Sequence, residues 1–253
     1  MIFIRLLKCL FGIYAAIVFG VMLLVSFIEY LFVFLLFSKE SSPHIAHKII
    51  SIPWAKMLSW LFFIPAKIKN KNFIDPKKTY VFIANHRSLI DIPIYALSNT
   101  NTLRFLAKVE LTKIPMMGYI IKRLYLSVNR TDRADRNRSI EIMRKSLDEG
   151  ISVFLCPEGT RNKEINPPLL DFRDGAFRLA ILTKTPLAAL TLLNSGEKLN
   201  SKRPLEFCPG AIYAIWDKPI ETSEMTLADL PLLKEMVRTK MIAHLEEWRC
   251  KAH

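Results

Sequence analysis

Along this 253-residue chain the apolar positions change character twice. No charged residue occurs from Cys9 to Ile28; Glu29 interrupts, and Tyr30 to Phe37 continues apolar. Twenty uncharged residues suffice to cross a hydrocarbon core of roughly 30 Å. A signal peptide would have an apolar region of about 7 to 15 residues and a small-residue cleavage site, and this run is longer and lacks A-x-A. A buried soluble helix is the other alternative, and all-round apolarity over such a length counts against it. Residues 1–38 are therefore read as a hydrophobic membrane anchor. Basic residues flank both ends, Arg5 and Lys8 before and Lys39, Lys48 and Lys56 after, so one span and a re-entrant pair both stay open. A second patch, Ile52 to Ile68, mixes Trp54, Trp60, Phe62 and Phe63 with Lys56, Lys67 and the adjoining Lys69, and has Pro53 and Pro65 near its ends. That composition predicts an interfacial helix within an amphipathic segment spanning 39–69.

From residue 70 the pattern becomes short apolar runs alternating with 3.6-periodic segments. Strands are predicted at Thr79–Ala84, Ile151–Leu155, Leu187–Leu193 and Leu205–Ile215, and helices at Leu89–Ser98, Arg138–Asp148 and Ala176–Thr183. Leu230, Leu233, Val237, Met241, Leu245 and Trp248 form a stripe at spacings of three and four, an amphipathic closing helix. Strands alternating with helices indicate an α/β domain over 70–253, a mixed sheet flanked by helices.

Composition narrows the partners. Lys and Arg number 36 against 23 Asp and Glu, giving a net charge of +13 that favours something anionic: nucleic acid, a phospholipid surface or a phosphorylated substrate. Between Arg104 and Lys145 eleven basic and four acidic residues concentrate this charge, either as a solvated face or as attraction to anionic lipid. No nucleic-acid-binding motif accompanies it, and nucleic acid would leave the apolar start unexplained, so that partner is set aside. Cys9, Cys156, Cys208 and Cys250 are far apart, with neither a disulfide framework nor metal-ligand spacing. No metal is expected, and the default is reduced chemistry on the cytoplasmic face of a membrane.

Two segments carry chemistry. Asn85-His86-Arg87-Ser88-Leu89-Ile90-Asp91 stands where the strand ending at Ala84 turns into a helix, the end of a sheet where active sites are built. An Asp five residues after a His can fold back onto one ring nitrogen and leave the other free as a base. Equally, Ser88 and Asp91 have the S-x-x-D spacing of a capping box, which would make His86 an ordinary loop residue. The second segment, Val153 to Arg161, is a buried strand that stops at Pro157 and opens into Glu158-Gly159-Thr160-Arg161. Gly159 permits a tight turn, and Arg161 supplies a planar fork suited to phosphate; a strand followed by a polar turn is the plainer reading.

Together, N-H-x4-D and, some seventy residues later, P-E-G-T-R resemble the glycerolipid acyltransferases of the lysophosphatidate acyltransferase type. Phe105-Leu-Ala-Lys108, Gly118 to Arg130 and Phe172-Arg-Asp-Gly175-Ala176-Phe177 extend the likeness over about Tyr80 to Leu192. Two positions depart from the pattern: Cys156, where Phe is usual, and Ala189, where a second Pro is common. The resemblance implies transfer of a fatty acyl group from acyl-CoA or acyl-carrier protein, as co-substrate rather than bound cofactor, to the 2-hydroxyl of lysophosphatidate. It implies His86 and Asp91 as catalytic residues and Glu158, Gly159, Thr160, Arg161, Arg130 and Lys108 as substrate-binding residues. Rival expectations are another hydroxyl acceptor, such as lyso-ornithine lipid, another lysophospholipid or glycerol 3-phosphate, and a membrane lipid-binding protein without turnover.

Overall fold

In a computed structural model of the chain, described for residues 2–129 and 132–252, the elements follow in this order. Helix α1 (Ile2–Leu36) leads through α2 (Ser42–Ala46) and a π-helical turn (His47–Ser51) into α3 (Ile52–Leu61). Then come β1 (Ala66–Lys69), β2 (Val81–Ala84), α4 (Asp91–Ser98), β3 (Leu103–Lys108), α5 (Met117–Leu124), β4 (Leu126–Val128) and α6 (Arg133–Asp148). The chain closes with β5 (Ser152–Leu155), α7 (Gly175–Thr183), β6 (Leu187–Leu192), α8 (Ser195–Lys198), β7 (Ile212–Trp216) and α9 (Leu230–Ala252).

The strands form one mixed sheet in the order β1-β7-β6-β2-β5-β3-β4, parallel throughout except where β6 meets β7. Every residue of β2, β5 and β6 is buried, which is why these strands read as unbroken apolar runs. Successive side chains point to opposite faces. Phe82 and Ala84 enter one core with Ile94, Tyr95, Phe154 and Trp216; Val81 and Ile83 enter the other with Val153, Phe177, Leu233 and Met241. The stripe on α9 is thus core packing, as its spacing predicts.

Two expectations need correcting. Residues 52–68 are not one helix: α3 ends at Leu61, and Ala66–Lys69 pairs in parallel with β7 as an edge strand. Phe63 takes a positive φ of 51°, and Pro65 has no N–H to continue the helical ladder. The strand expected at 205–215 forms only at Ile212–Trp216, because Pro209 and Gly210, with φ of 119°, keep the preceding residues in a loop. The short elements β3, α5 and β4 were not among those expected from the sequence, although α5 is amphipathic, burying Ile120, Ile121 and Leu124.

Helix α1 is long and apolar enough to cross a membrane, yet it is docked on the domain along its length. Arg5 Nε lies 2.8 Å from Glu206, the Lys8 carbonyl accepts the Phe207 N–H at 3.2 Å, and a Cβ on Gly12 would stand 1.8 Å from the Leu205 carbonyl oxygen. Farther along, Phe19 meets Trp54 edge-on, the Tyr30 and Ser51 hydroxyls share a hydrogen bond of 2.9 Å, and Arg123 covers the Phe34 ring. The outer face, including Phe3, Leu6, Leu10, Ile17, Val21 and Leu35, is exposed.

His47, only 4% exposed, makes the α2–α3 region acid-sensitive. Burial lowers its pKa from 6.5 to about 4, only partly opposed by the Asn101 backbone. The unfolded chain binds the proton first, so stability is complete above about pH 6.5 and falls toward pH 4, by up to about 3 kcal/mol. The melting temperature should drop between pH 7 and 4.5, and His47→Gln should flatten that drop. An equal fall in wild type and variant would refute the assignment.

Candidate active site

Strands β2 and β5 are parallel neighbours with Ile83 opposite Leu155, so the segments leaving their C-terminal ends, 85–91 and 156–162, emerge side by side. The side chain of Asn85 prolongs the ladder: its Nδ2 donates to the Leu192 carbonyl at 2.9 Å and its Oδ1 accepts the Leu192 N–H at 2.8 Å. Tyr95, buried in α4, donates its hydroxyl to the Asn85 carbonyl. His86 is therefore the first residue beyond the sheet.

His86 Nδ1 lies 2.8 Å from Asp91 Oδ2. The same oxygen accepts the backbone N–H groups of Arg87 at 2.7 Å and Ser88 at 2.8 Å. Asp91 is fully buried at the first turn of α4, where three donors offset the cost of removing a carboxylate from water. One oxygen thus braces the 87–88 backbone and orients the histidine, whereas the capping-box reading is not met: the N-cap of α4 is Ile90, with no side-chain cap bond. Ser88 Oγ donates to the Leu199 carbonyl at 2.7 Å. A carboxylate only accepts, so Nδ1 carries the ring proton and Nε2 keeps its lone pair. The His86 side chain is 19% exposed, open enough to meet a substrate.

Glu158 is 3% exposed, with Oε1 accepting the His86 N–H and Oε2 the Leu170 N–H, both at 2.8 Å. Burial raises its pKa, and the two N–H bonds partly offset this. The Asn162 N–H donates to the His86 carbonyl at 2.7 Å, and the Asn162 side chain bonds the Pro167 carbonyl at 2.9 Å. Gly159 has φ of 71° and lies under Arg173, whose Nε would be 2.4 Å from a Cβ there. Both features call for glycine. Thr160 is exposed and Arg161 half-buried. Among the described residues no acidic side chain pairs with Arg161: Glu164 is held by Lys202 at 2.8 Å, and Asp171 faces Arg238 at 3.9 Å.

Of the remaining expected residues, Lys108 ends β3 as an exposed side chain paired with Glu110 at 2.9 Å. Arg130 lies outside the described residues. No group of three or more metal-binding side chains occurs among the described residues. Asn85, Tyr95, Asn162, Arg87 and Arg173 also shape the site. Arg87 Nη2 donates to the Glu164 carbonyl at 2.7 Å, a main-chain partner 77 positions away that no motif could announce. Arg173 did carry a signal, within the Phe172–Phe177 stretch. The assembled site offers a buried carboxylate that orients an imidazole, a second nitrogen available as base, and, on the adjoining turn, a guanidinium with no acidic partner among the described residues. That set suits proton removal from a hydroxyl beside an anion.

Comparison with known proteins gives the family. A family model described as acyltransferase matches residues 65–192. Proteins named 1-acyl-sn-glycerol-3-phosphate acyltransferase match from Chlamydomonas reinhardtii (28% identical, 70% of this chain and 52% of that one) and from Saccharomyces cerevisiae (29%, 68% and 57%). The human protein of that name, alpha form, is 26% identical over 75% of this chain and 67% of its own. The chain thus spans between about half and two thirds of the length of these curated relatives. The crystal structure of a 1-acyl-sn-glycerophosphate acyltransferase from Thermotoga maritima superposes with a TM-score of 0.74 over 97% of this chain and 96% of that one; at 23% identity it speaks to the fold. With half of its length matched by the family model, across the strands that carry both segments, the chain belongs to the acyltransferase family.

Proposed function

We propose that the protein transfers a fatty acyl group from a thioester to the 2-hydroxyl of lysophosphatidate, giving phosphatidate. The carrying observation is the His86–Asp91 pair at 2.8 Å on one strand end, with the uncommitted Arg161 on the next. The names of the relatives support the same reading. A hydroxyl is a weak nucleophile at neutral pH, so His86 Nε2 takes its proton as the oxygen attacks the thioester carbonyl carbon. The imidazolium is stabilised by Asp91. As the tetrahedral centre collapses the C–S bond breaks, the thiolate takes the proton from His86, and an ester and a free thiol leave. No acyl-enzyme is required. The donor is acyl-CoA or acyl-carrier protein.

Arg161 is assigned to the acceptor phosphate, with the Gly159–Thr160 turn shaping the approach and Arg173 lying over that turn. Lysine keeps the charge but not the paired donors, so Arg161→Lys should raise KM for lysophosphatidate about tenfold, with little change for the thioester. Steady-state kinetics with each substrate varied in turn check this. An unchanged acceptor KM would remove Arg161 from the phosphate site and favour an acceptor such as lyso-ornithine lipid.

The exposed apolar face of α1 is assigned to the membrane, with the catalytic domain on the cytoplasmic side. Contacts to the domain at Arg5–Gly12 and again at Tyr30–Phe34 are separated by roughly 30 Å of helix at 1.5 Å per residue. A perpendicular crossing would carry domain surface through the hydrocarbon, so the helix inserts sideways from one face.

A further inference from the structure

Glu158 lies in the P-E-G-T-R segment, where its partners give it a role other than binding substrate. Both carboxylate oxygens are committed to backbone donors: Oε1 to the His86 N–H and Oε2 to the Leu170 N–H. The side chain is buried, at 3% exposure. Four residues on, the Asn162 N–H holds the His86 carbonyl. The peptide groups on both sides of His86 are therefore gripped by the 158–162 segment, while Asp91 fixes the ring. We infer that Glu158 is a positioning residue: it sets where His86 stands, and through Leu170 ties that position to the loop leading into α7.

Each carboxylate oxygen of Glu158 faces its own N–H donor, so neither position accommodates a second donor. Glutamine brings one acceptor and an amide donor, so one bond becomes a donor–donor clash whichever way it is turned. Aspartate keeps both acceptors but is shorter by one methylene and reaches only one donor well. Displacing a reacting group by about 1 Å can cost a hundredfold in rate.

The inference rests on His86 being the base, and the two claims fail separately. Wild-type protein that makes no phosphatidate from lysophosphatidate with either donor overturns the function proposed above. Given an active wild type, Glu158→Gln should lower kcat about 30- to 100-fold with KM for both substrates changed less than about threefold. Glu158→Asp should fall between the two. Melting temperatures of both variants, measured in the same detergent, separate positioning from general loss of structure; if the glutamine variant does not fold, the aspartate variant decides by the same split. A wild-type kcat in a folded variant overturns the inference. So does a raised KM for lysophosphatidate at unchanged kcat, which would make Glu158 a substrate ligand.

Discussion

His86→Ala should lower acyl transfer by about 10³-fold, within the 10²–10⁴ span of general acid–base catalysis, while the protein still folds and sediments with membranes. The backbone there is held by Glu158 and Asn162 and not by the imidazole, and the ring is partly exposed, so truncation opens no core cavity. Asp91→Asn should also lose at least about 10²-fold, because an amide can donate to Nδ1 and stabilise the wrong tautomer. Unlike His86, Asp91 accepts three hydrogen bonds in a fully buried position, so its variant should also melt lower. Phosphatidate formation and melting curves on the same preparations give both readings. Wild-type turnover in purified His86→Ala protein would end the catalytic assignment.

Deleting residues 1–36 should have an effect of comparable size on stability. Tyr30, Val33 and Phe34 pack with Ile50, Ile120 and Leu124, and Ala15 lies in the larger core with Leu58 and Phe207. Burying side chains of this size is worth about 1.5–3 kcal/mol each, so three of them approach the whole stability of many domains. The truncated chain should aggregate or melt far below wild type, and should not emerge as a soluble active domain. Gly12→Val is the local version: a Cβ there collides with the Leu205 carbonyl, and the N-terminal half of α1 should lift off. A truncated protein that melts like wild type would show that α1 is a detachable tether.

What could be read from the sequence was what depends on neighbouring positions. Buried parallel strands announce themselves as apolar runs such as Val81–Ala84 and Leu187–Leu192. The His86–Asp91 pair was legible because five residues span it. Strand β3 was harder: its burial is mostly partial and its residues mix Arg104 and Lys108 with apolar ones, so no period stands out. Long-range facts were out of reach. The Glu158–His86 bond spans 72 positions, and only the register of β2 against β5 brings its partners together. The docking of α1 hangs on Gly12 meeting residue 205, a contact invisible in a run of uncharged residues. Read alone, that run says only that lipid or protein must cover it.

Acyl acceptor preference of the wild-type protein, purified in detergent, decides between phosphate-bearing and phosphate-free acceptors. Lysophosphatidate, lyso-ornithine lipid, a neutral lysophospholipid and glycerol 3-phosphate would each be offered with acyl-CoA and with acyl-carrier protein, following thiol release and product mass together. Lysophosphatidate should yield phosphatidate with one thiol released per ester formed, and transfer to the other acceptors should be slower or absent. Faster acylation of a phosphate-free acceptor, or thiol release without phosphatidate under every combination, would contradict the lysophosphatidate assignment.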